Sequence, residues 1–112
     1  MVRFGEYITA RRKALKLTRK DMAAQIKKGD GTHISNTYLL DVEKGRCRPP
    51  SDRIIEQIGA ILSIPVEVLY FHAERMPADL KQDDAPEERI LAAYQAFRRE
   101  IRASGRKKKK RS

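Results

Sequence analysis

The fold is decided by residues 34–50, which read ISNTYLLDVEKGRCRPP. Ser35 is a favourable helix N-cap, because its hydroxyl can accept a hydrogen bond from a free N–H of the first turn. Larger apolar side chains then recur at helical spacing, at Tyr38, Leu39 and Val42. Gly45 can adopt the left-handed conformation that ends a helix, and the two following prolines prevent its continuation. The segment therefore predicts a short amphipathic helix over residues 36–44, with a small polar start and a cationic exit.

Two amphipathic segments precede this helix. Residues 3–16 carry apolar side chains three and four residues apart and predict a first helix. A second helix is expected from Arg19 to about Lys28, because Thr18 is a favourable N-cap and apolar residues follow at Met22, Ala23 and Ile26. Residues 28–33, KGDGTH, contain two glycines, an Asp and a Thr, a composition that predicts a loop.

Two more helices are predicted after the prolines. Ser51 is suited to cap a fourth helix that ends near Ser63 and buries a row of apolar side chains, at Ile54, Ile55, Ile58, Ile61 and Leu62. Pro65 fits the first turn of a short fifth helix. The sequence thus predicts an all-α domain, with five helices packed around one core over residues 3–72.

The remaining residues predict a linker, a long helix and a charged end. Residues 73–85 are polar and acidic, as linkers are. A sixth helix is expected over residues 86–104, with Pro86 and two acids at the start, where the helix dipole favours negative charge. Its apolar side chains recur at intervals of four, three and four, at Ile90, Tyr94, Phe97 and Ile101. The last seven residues contain no apolar side chain, so we expect residues 105–112 to be disordered.

Composition and charge limit the classes of function. The chain has 112 residues, enough for one domain with a modest core, and its apolar runs are too short to span a bilayer. The N-terminus lacks the apolar core of a secretory signal, and the single Cys47 rules out an internal disulfide and fits a reducing cytosol. The net charge is +10, and six of the cations lie in residues 106–111, which leaves +4 on the rest. Such a charge favours polyanionic partners without choosing among DNA, RNA and anionic lipid.

The sequence shows no pattern of a catalytic or metal site. His33, His72 and Cys47 do not have the spacing of metal ligands. There is no Ser/His/Asp set, no paired-acid cleft and no phosphate-binding glycine loop with its lysine. Cys47 lies between two arginines, as some redox-sensing cysteines do, but an incidental surface cysteine is the simpler interpretation. We therefore expect no enzyme, no cofactor and no metal.

Three stretches, in this order and spacing, carry a family resemblance: FGEYITARRKALKLTRKDMA at 4–23, ISNTYLLDVEKGRCRPPS at 34–51 and IIEQIGAILSIPVEVLY at 54–70. Together they resemble the Cro/C1-type (Xre) helix-turn-helix family of bacterial and phage transcription regulators, over residues 4 to about 72. The resemblance implies a five-helix lambda-repressor-like domain that binds operators as a dimer and has no catalytic activity. One departure is the connection between helices two and three. The family uses a tight turn around one glycine, whereas residues 27–33 make this connection about six residues longer, which costs little entropy.

The resemblance implies that the start of the third helix meets DNA bases. Asn36 and Thr37 match the family positions at the tip of this helix; Asn can bond adenine in a bidentate way, and the Thr methyl can contact thymine. The alternative is that both residues merely begin a helix. One turn later, Leu40 would contact a thymine methyl or cover a neighbouring helix. Asp41 would accept a hydrogen bond from cytosine or simply be exposed.

Phosphate contacts are expected from the starts of helices two and three and from the cationic exit of helix three. A helix N-terminus attracts anions, although it can equally be a simple capped start, and a charged loop is often merely solvated. The expected phosphate-binding residues are Thr18, Arg19, Ser35, Tyr38, Lys44, Arg46 and Arg48. Arg12 and Glu43 match a family pair that forms a structural ion pair between helices one and three.

These features favour a sequence-specific transcription regulator, a homodimeric repressor that binds palindromic double-stranded DNA. It would be bacterial or phage-encoded, cytoplasmic and nucleoid-associated. The sixth helix would pair two subunits or fold back on its own domain, and the basic tail would add non-specific DNA affinity or only solubility. A second hypothesis is an antitoxin or other protein-interaction module, whose sixth helix and tail bind a toxin or a protease. A third is RNA binding, but the sequence lacks the aromatic platform of single-strand readers.

Overall fold

The computed structural model describes the backbone of residues 2–111 and the side chains of residues 2–81 and 83–103. In this part of the chain it has six α-helices, one short 3₁₀ helix and no β-strand, so the predicted all-α class is confirmed. The helices are α1 Phe4–Ala14, α2 Arg19–Ala24, α3 Asn36–Glu43, α4 Asp52–Leu62, α5 Val66–His72 and α6 Glu87–Arg111, with the 3₁₀ helix at Ala78–Gln82. No helix among the described residues is both long and apolar enough to cross a membrane.

The chain divides into two compact units, Met1–Lys81 and Gln82–Ser112. The core of the first unit draws side chains from α1 to α5 and from the segments between them. Its buried apolar residues are Phe4, Ile8, Met22, Ala23, Ile26, Ile34, Leu39, Val42, Ile55, Ile58, Leu62, Ile64, Leu69, Tyr70 and Ala73. Each large apolar side chain in such a core contributes about 1.5–3 kcal/mol relative to exposure. Of the row predicted on α4, Ile55, Ile58 and Leu62 are buried, and the other two pack partly against the core.

Local capping fixes the starts of α2 and α3. The Thr18 hydroxyl accepts a hydrogen bond from the Asp21 N–H at 3.1 Å, and the Ser35 hydroxyl accepts one from the Tyr38 N–H at 2.9 Å. Both residues are N-caps, as predicted. Ser51 also occupies the N-cap position of α4, but its side chain makes no capping hydrogen bond with the described residues.

Left-handed residues end several helices. Gly45, with φ 73°, follows α3, and the Arg46 N–H then donates to the Asp41 carbonyl at 2.9 Å, which closes the last turn. Three residues other than glycine adopt the same conformation after α1, α4 and α5: Lys16, Ser63 and Glu74. The left-handed Lys16 follows the end of α1 at Ala14, so this helix is two residues shorter than predicted.

The connection between α2 and α3 is an ordered hairpin, where the sequence predicted a loop. Helix α2 ends at Ala24 and does not continue to Lys28, because the chain pairs with itself instead: the Ile34 N–H donates to the Ile26 carbonyl at 2.9 Å. An isolated antiparallel bridge joins Lys27 to His33. Inside the turn, hydrogen bonds from the Thr32 hydroxyl at 2.6 Å and N–H at 3.0 Å hold the pKa of Asp30 below its ordinary value.

Gln57 of α4 holds this hairpin in place. Its side-chain oxygen accepts from the Lys27 N–H at 2.7 Å, and its side-chain nitrogen donates to the Lys27 carbonyl at 2.8 Å. The amide thus mimics a neighbouring β-strand for a single residue. The longer connection is therefore built into the packing of the first unit.

The first unit continues past the predicted domain end at residue 72 to Lys81, and Asp52 binds two residues of this added segment. Its carboxylate accepts from Arg75 and, at 3.0 Å, from the Lys81 ammonium, and both bonds lower the pKa of Asp52. Arg75 also donates to the Pro50 carbonyl at 2.6 Å. The first part of the predicted linker is consequently tied to the start of α4.

Helix α6 is longer than predicted. It begins at Glu87 and continues to Arg111, past the expected end at residue 104 and through residues 105–111, which we expected to be disordered. Lys and Arg have high helix propensity, and cations are favourable at a helix C-terminus. Ser112 lies outside the described residues.

Candidate nucleic-acid interface

Helix α3 has one buried side and one accessible side. Leu39, Val42 and Glu43 are buried in the first unit, where α3 packs against α1 and α2. The polar residues predicted to contact bases, Asn36 and Thr37, are exposed at the start of the helix. The start of α3 is therefore open to a ligand, while its other side is fixed by the core.

Leu40 and Asp41, one turn later, are half-buried. The Asp41 carboxylate accepts from the Arg46 guanidinium at 3.4 Å, with the side chains 38% and 62% exposed. An exposed ion pair of this kind contributes about 0–1 kcal/mol, so Arg46 can exchange Asp41 for another anion at little cost.

Three cationic side chains follow the end of α3. Lys44, Arg46 and Arg48 are all exposed, and the left-handed Gly45 turns the chain between the first two. Cys47 is exposed among them. The predicted phosphate-binding cations of this segment thus remain accessible to solvent and to ligands.

A buried ion pair joins α1 to α3. The Arg12 guanidinium donates to both oxygens of Glu43, through Nε at 2.7 Å and Nη2 at 3.0 Å, and the two residues are only 6% and 5% exposed. Arg12 also donates to the Leu17 carbonyl at 3.0 Å. The bidentate geometry fixes both the distance and the angle between the two helices.

Arg19 is the third member of this cluster, which the sequence did not indicate. Its Nε donates to Glu43 Oε1 at 3.0 Å, so one carboxylate binds arginines from α1 and α2. Burial alone would raise the pKa of Glu43, but the hydrogen bonds and charges of Arg12 and Arg19 outweigh it and lower the pKa. The Arg19 side chain is 27% exposed, and its remaining N–H groups are not used by Glu43.

A groove beside this cluster brings together cations from α1, α2 and the residues that flank α1 and α3. Arg19 and Lys44, both predicted from the sequence to bind phosphate, line it together with Arg3 and Lys13. The last two were missed, because the sequence offered no reason to separate them from other exposed cations in and next to α1. Two acids, Glu6 and Glu43, line the same groove, so its four cations exceed its acids by two beside the end of α3.

Gly5 is a further residue that sequence reasoning missed. A Cβ atom at this position would overlap the Val42 carbonyl oxygen and lie 2.5 Å from the Glu43 carbonyl oxygen. The first turn of α1 therefore touches the backbone of α3, a distance that only glycine allows. The position of α3 depends on this contact as well as on the ion pair.

The other predicted phosphate ligands have local roles in the structure. The Thr18 and Ser35 oxygens accept capping hydrogen bonds, which leaves their O–H groups to donate. Tyr38 is half-buried with its ring against the core, and this burial raises the pKa of Tyr38. Among the described residues, no group of three His, Cys, Asp or Glu side chains is placed to hold a metal ion.

Comparison of the chain with models of known families, with curated proteins and with solved structures finds no match. The resemblance carried by the three sequence stretches thus remains a prediction. The features of the structure that bear on function are the exposed start of α3, its cationic end and the buried cluster that holds it.

Proposed function

We propose that this protein is a sequence-specific DNA-binding regulator of transcription, a homodimer whose residues 3–72 form a Cro/C1-type helix-turn-helix domain with α3 as its recognition helix. One observation carries the proposal. The start of α3 exposes Asn36 and Thr37, while the other end of the same helix is anchored by the buried Arg12–Glu43 pair.

Base reading is assigned to the start of α3. The major groove admits one α-helix and presents a distinct pattern of donors and acceptors for each base pair. Asn36 offers both a donor and an acceptor, which match the N7 and N6 groups of adenine, and the Thr37 methyl group suits the methyl of thymine. Leu40 and Asp41 extend this surface by one turn.

Phosphate binding is assigned to the cations around α3. Lys44, Arg46 and Arg48 follow the helix, and the groove beside its end adds Arg19, Arg3 and Lys13. When α3 enters the groove of DNA, Arg46 exchanges the Asp41 carboxylate for a phosphate. The free energy lost in this exchange is small, because both side chains are solvated in the free protein.

The buried cluster serves recognition indirectly. Side chains that read bases bind more tightly when the helix carrying them is already held in place. Each group that must be ordered on binding lowers the affinity. The Glu43 contacts with Arg12 and Arg19, together with the close approach at Gly5, fix α3 before DNA arrives. A dimer of such domains would read two half-sites about 34 Å apart and repress transcription by occupying the operator.

Selection of bound duplexes from a random pool tests the proposal. We expect one enriched palindromic motif, with Asn36→Ala losing about 1–3 kcal/mol on that motif and blurring its preference at one base pair. Arg46→Ala should weaken all duplexes alike and flatten the salt dependence by about one unit. Two exposed residues at the start of α4 provide matched controls. Ser51→Ala, at the N-cap, and Arg53→Ala, in the helix, should leave both measurements unchanged.

Three results would contradict this assignment. The first is a protein that binds every duplex equally, and the second is an exchange of roles between Asn36 and Arg46. The third is tighter binding of duplex RNA than of duplex DNA at physiological salt. Titrations of the protein and its variants with selected DNA, scrambled DNA and duplex RNA measure all three.

A second candidate function is that of an antitoxin or other protein-interaction module. The observation in its favour is the apolar side of α6, where Leu91 is 57% exposed and Ile101 52%. A toxin-like protein encoded beside this one would support it, if the two purified proteins form a stoichiometric complex that Tyr94→Ser abolishes.

A further inference from the structure

The apolar stripe of α6 has the spacing of a helix that packs against another helix. Its members Ile90, Tyr94 and Ile101 are 46%, 51% and 52% exposed, and Phe97 completes the intervals of four, three and four residues. An average interval of 3.5 residues keeps a stripe facing one partner helix along its whole length. A face of this composition is costly to leave in water.

The charges along this part of the chain are strongly polarised. Four acids lie at its start, at Asp83, Asp84, Glu87 and Glu88. Beyond Phe97 there are nine cations and one acid, Glu100. Two such helices side by side in the same direction would place cations against cations, whereas opposite directions would place the acids of each beside the cations of the other.

We propose that α6 pairs in antiparallel orientation with α6 of a second copy of this chain, about a two-fold axis between residues 95 and 96. In this register Ile90 of one copy packs on Ile101 of the other, and Tyr94 packs on Phe97. Glu87 and Glu88, at the start of α6, then lie beside the cationic end of the partner helix, and Asp83 and Asp84 precede them in the chain. Every stripe residue has a partner, and both ends of the pair are matched in charge.

The inference rests on the homodimer of the proposed function and specifies the orientation and register of its two α6 helices. With a rise of 1.5 Å per residue, the two Glu87 residues lie about 26 Å apart along the pair. The first units are thus attached at opposite ends, at a separation comparable with the 34 Å between successive major grooves. A parallel pair would attach both at the same end.

Light scattering of the full chain tests whether the stripe forms the contact. We expect twice the chain mass of 12.9 kDa at micromolar concentration. Ile90→Ser with Ile101→Ser should weaken the dimer by about 100-fold or more, because it removes four apolar side chains from one interface. The control Ala92→Ser with Gln95→Ser changes the other side of α6 and should leave the dimer intact. A dimer that survives loss of the stripe overturns the proposal, as does a chain that stays monomeric at 100 µM.

Disulfide crosslinking tests the orientation. In a Cys47→Ser background, chains with Ile90→Cys are mixed with size-tagged chains carrying Ile101→Cys and then oxidised. We expect crosslinks between the two kinds of chain and few within either kind, since equivalent residues would lie about 16 Å apart along the axis. Crosslinks within each kind would establish a parallel pair and overturn the proposal.

Salt provides a second measurement that needs no substitution in the stripe. The antiparallel dimer should weaken as salt rises, because it opposes unlike charges, whereas a parallel dimer would strengthen. Binding to anionic vesicles by a chain that stays monomeric would assign the apolar side to a lipid surface and overturn the proposal. None of these readouts contains DNA, so their failure is distinct from failure of the proposed DNA recognition.

Discussion

At the scale of single residues, the position of α3 depends on one carboxylate and one missing side chain. Glu43 binds guanidinium groups from α1 and α2, so three helices meet at a single charge. Gly5 lets the backbone of α1 touch the backbone of α3 at the same end. Both features lie at the groove proposed to bind phosphate, and together they fix the position of the helix that carries Asn36.

Replacing Glu43 should be strongly destabilising. Glu43→Gln leaves two arginine charges with a neutral partner, one of them buried, and should lower the free energy of unfolding by about 3 kcal/mol. Because the pKa of Glu43 is below its ordinary 4.5 in the folded chain, its contribution is complete above about pH 4.5 and is lost as pH falls through the folded-state pKa. Urea titrations from pH 7 to pH 3 measure both effects.

Glu56→Gln is the matched control, since Glu56 is exposed on α4. It should change stability by less than about 0.5 kcal/mol. In Glu43→Gln the stability should fall less steeply with acid than in the unaltered chain. An equal dependence on pH in the two proteins would show that Glu43 is not the linked group.

Gly5→Ala should destabilise the protein, although alanine is the better helix former by about 1 kcal/mol. The new methyl group would meet two carbonyl groups of α3, so the helices must separate, at a net cost of about 1–3 kcal/mol. Thermal unfolding measures the change. Gly29→Ala is the control: its Cβ would meet only Arg53, at 3.7 Å, and should be neutral or slightly stabilising. Equal effects of the two changes would rule out a close approach at Gly5.

At the scale of elements, the hairpin between α2 and α3 is the clearest departure from local expectation. Its composition predicts a loop, and residues 28–33 do turn the chain. The composition does not predict which residue holds this hairpin. Gln57, on a different helix, bonds both backbone groups of Lys27. The length of the connection is therefore compatible with a fixed start of α3.

Gln57→Ala should release the hairpin without unfolding the core. Two hydrogen bonds at a solvated site are worth about 1–2 kcal/mol together, and the Lys27 amide should exchange its hydrogen about 5-fold faster or more. Amide exchange followed by NMR measures this directly. Gln25→Ala removes another exposed glutamine bond, to the Asp21 carbonyl, and should not alter the Lys27 amide. Unchanged exchange in Gln57→Ala would mean that the hairpin holds itself.

At the scale of the whole molecule, positive charge is divided between the first unit and the end of α6. Six of the ten net positive charges belong to residues 106–111. The first unit has several of its cations around the end of α3 and in the groove beside it. We expect the first unit to provide the preference among sequences and the end of α6 to provide affinity for any duplex.

Replacing the four lysines at 107–110 by Gln should therefore weaken binding to all duplexes. The slope of log K against log salt should decrease by up to about 3–4, since each phosphate contact contributes about 0.9. The ratio of affinities for selected and scrambled duplexes should stay the same or rise. Fluorescence titrations over a range of salt measure both, and light scattering shows whether the variant remains dimeric at the working concentration. An unchanged slope would show that these lysines do not contact DNA.

The sequence by itself determined the elements whose cause is local. Helical periodicity specified the all-α class, and Thr18 and Ser35 specified the starts of α2 and α3, because a cap bonds to a backbone group only three residues away. It also placed Asn36 and Thr37 at the start of α3. Residues near an exposed helix start are accessible whatever the rest of the chain does.

Tertiary structure alone decided the features that join distant residues. Arg19 lies 24 residues from Glu43, and Gln57 lies 30 from Lys27, so no local pattern indicates either bond. The close approach at Gly5 depends on a helix that comes more than thirty positions later. Even Lys28, expected to be helical, lies in the hairpin, because pairing between Ile26 and Ile34 prevents α2 from continuing. Helix propensities differ by less than about 1 kcal/mol per residue, and burial of two isoleucines outweighs such a difference.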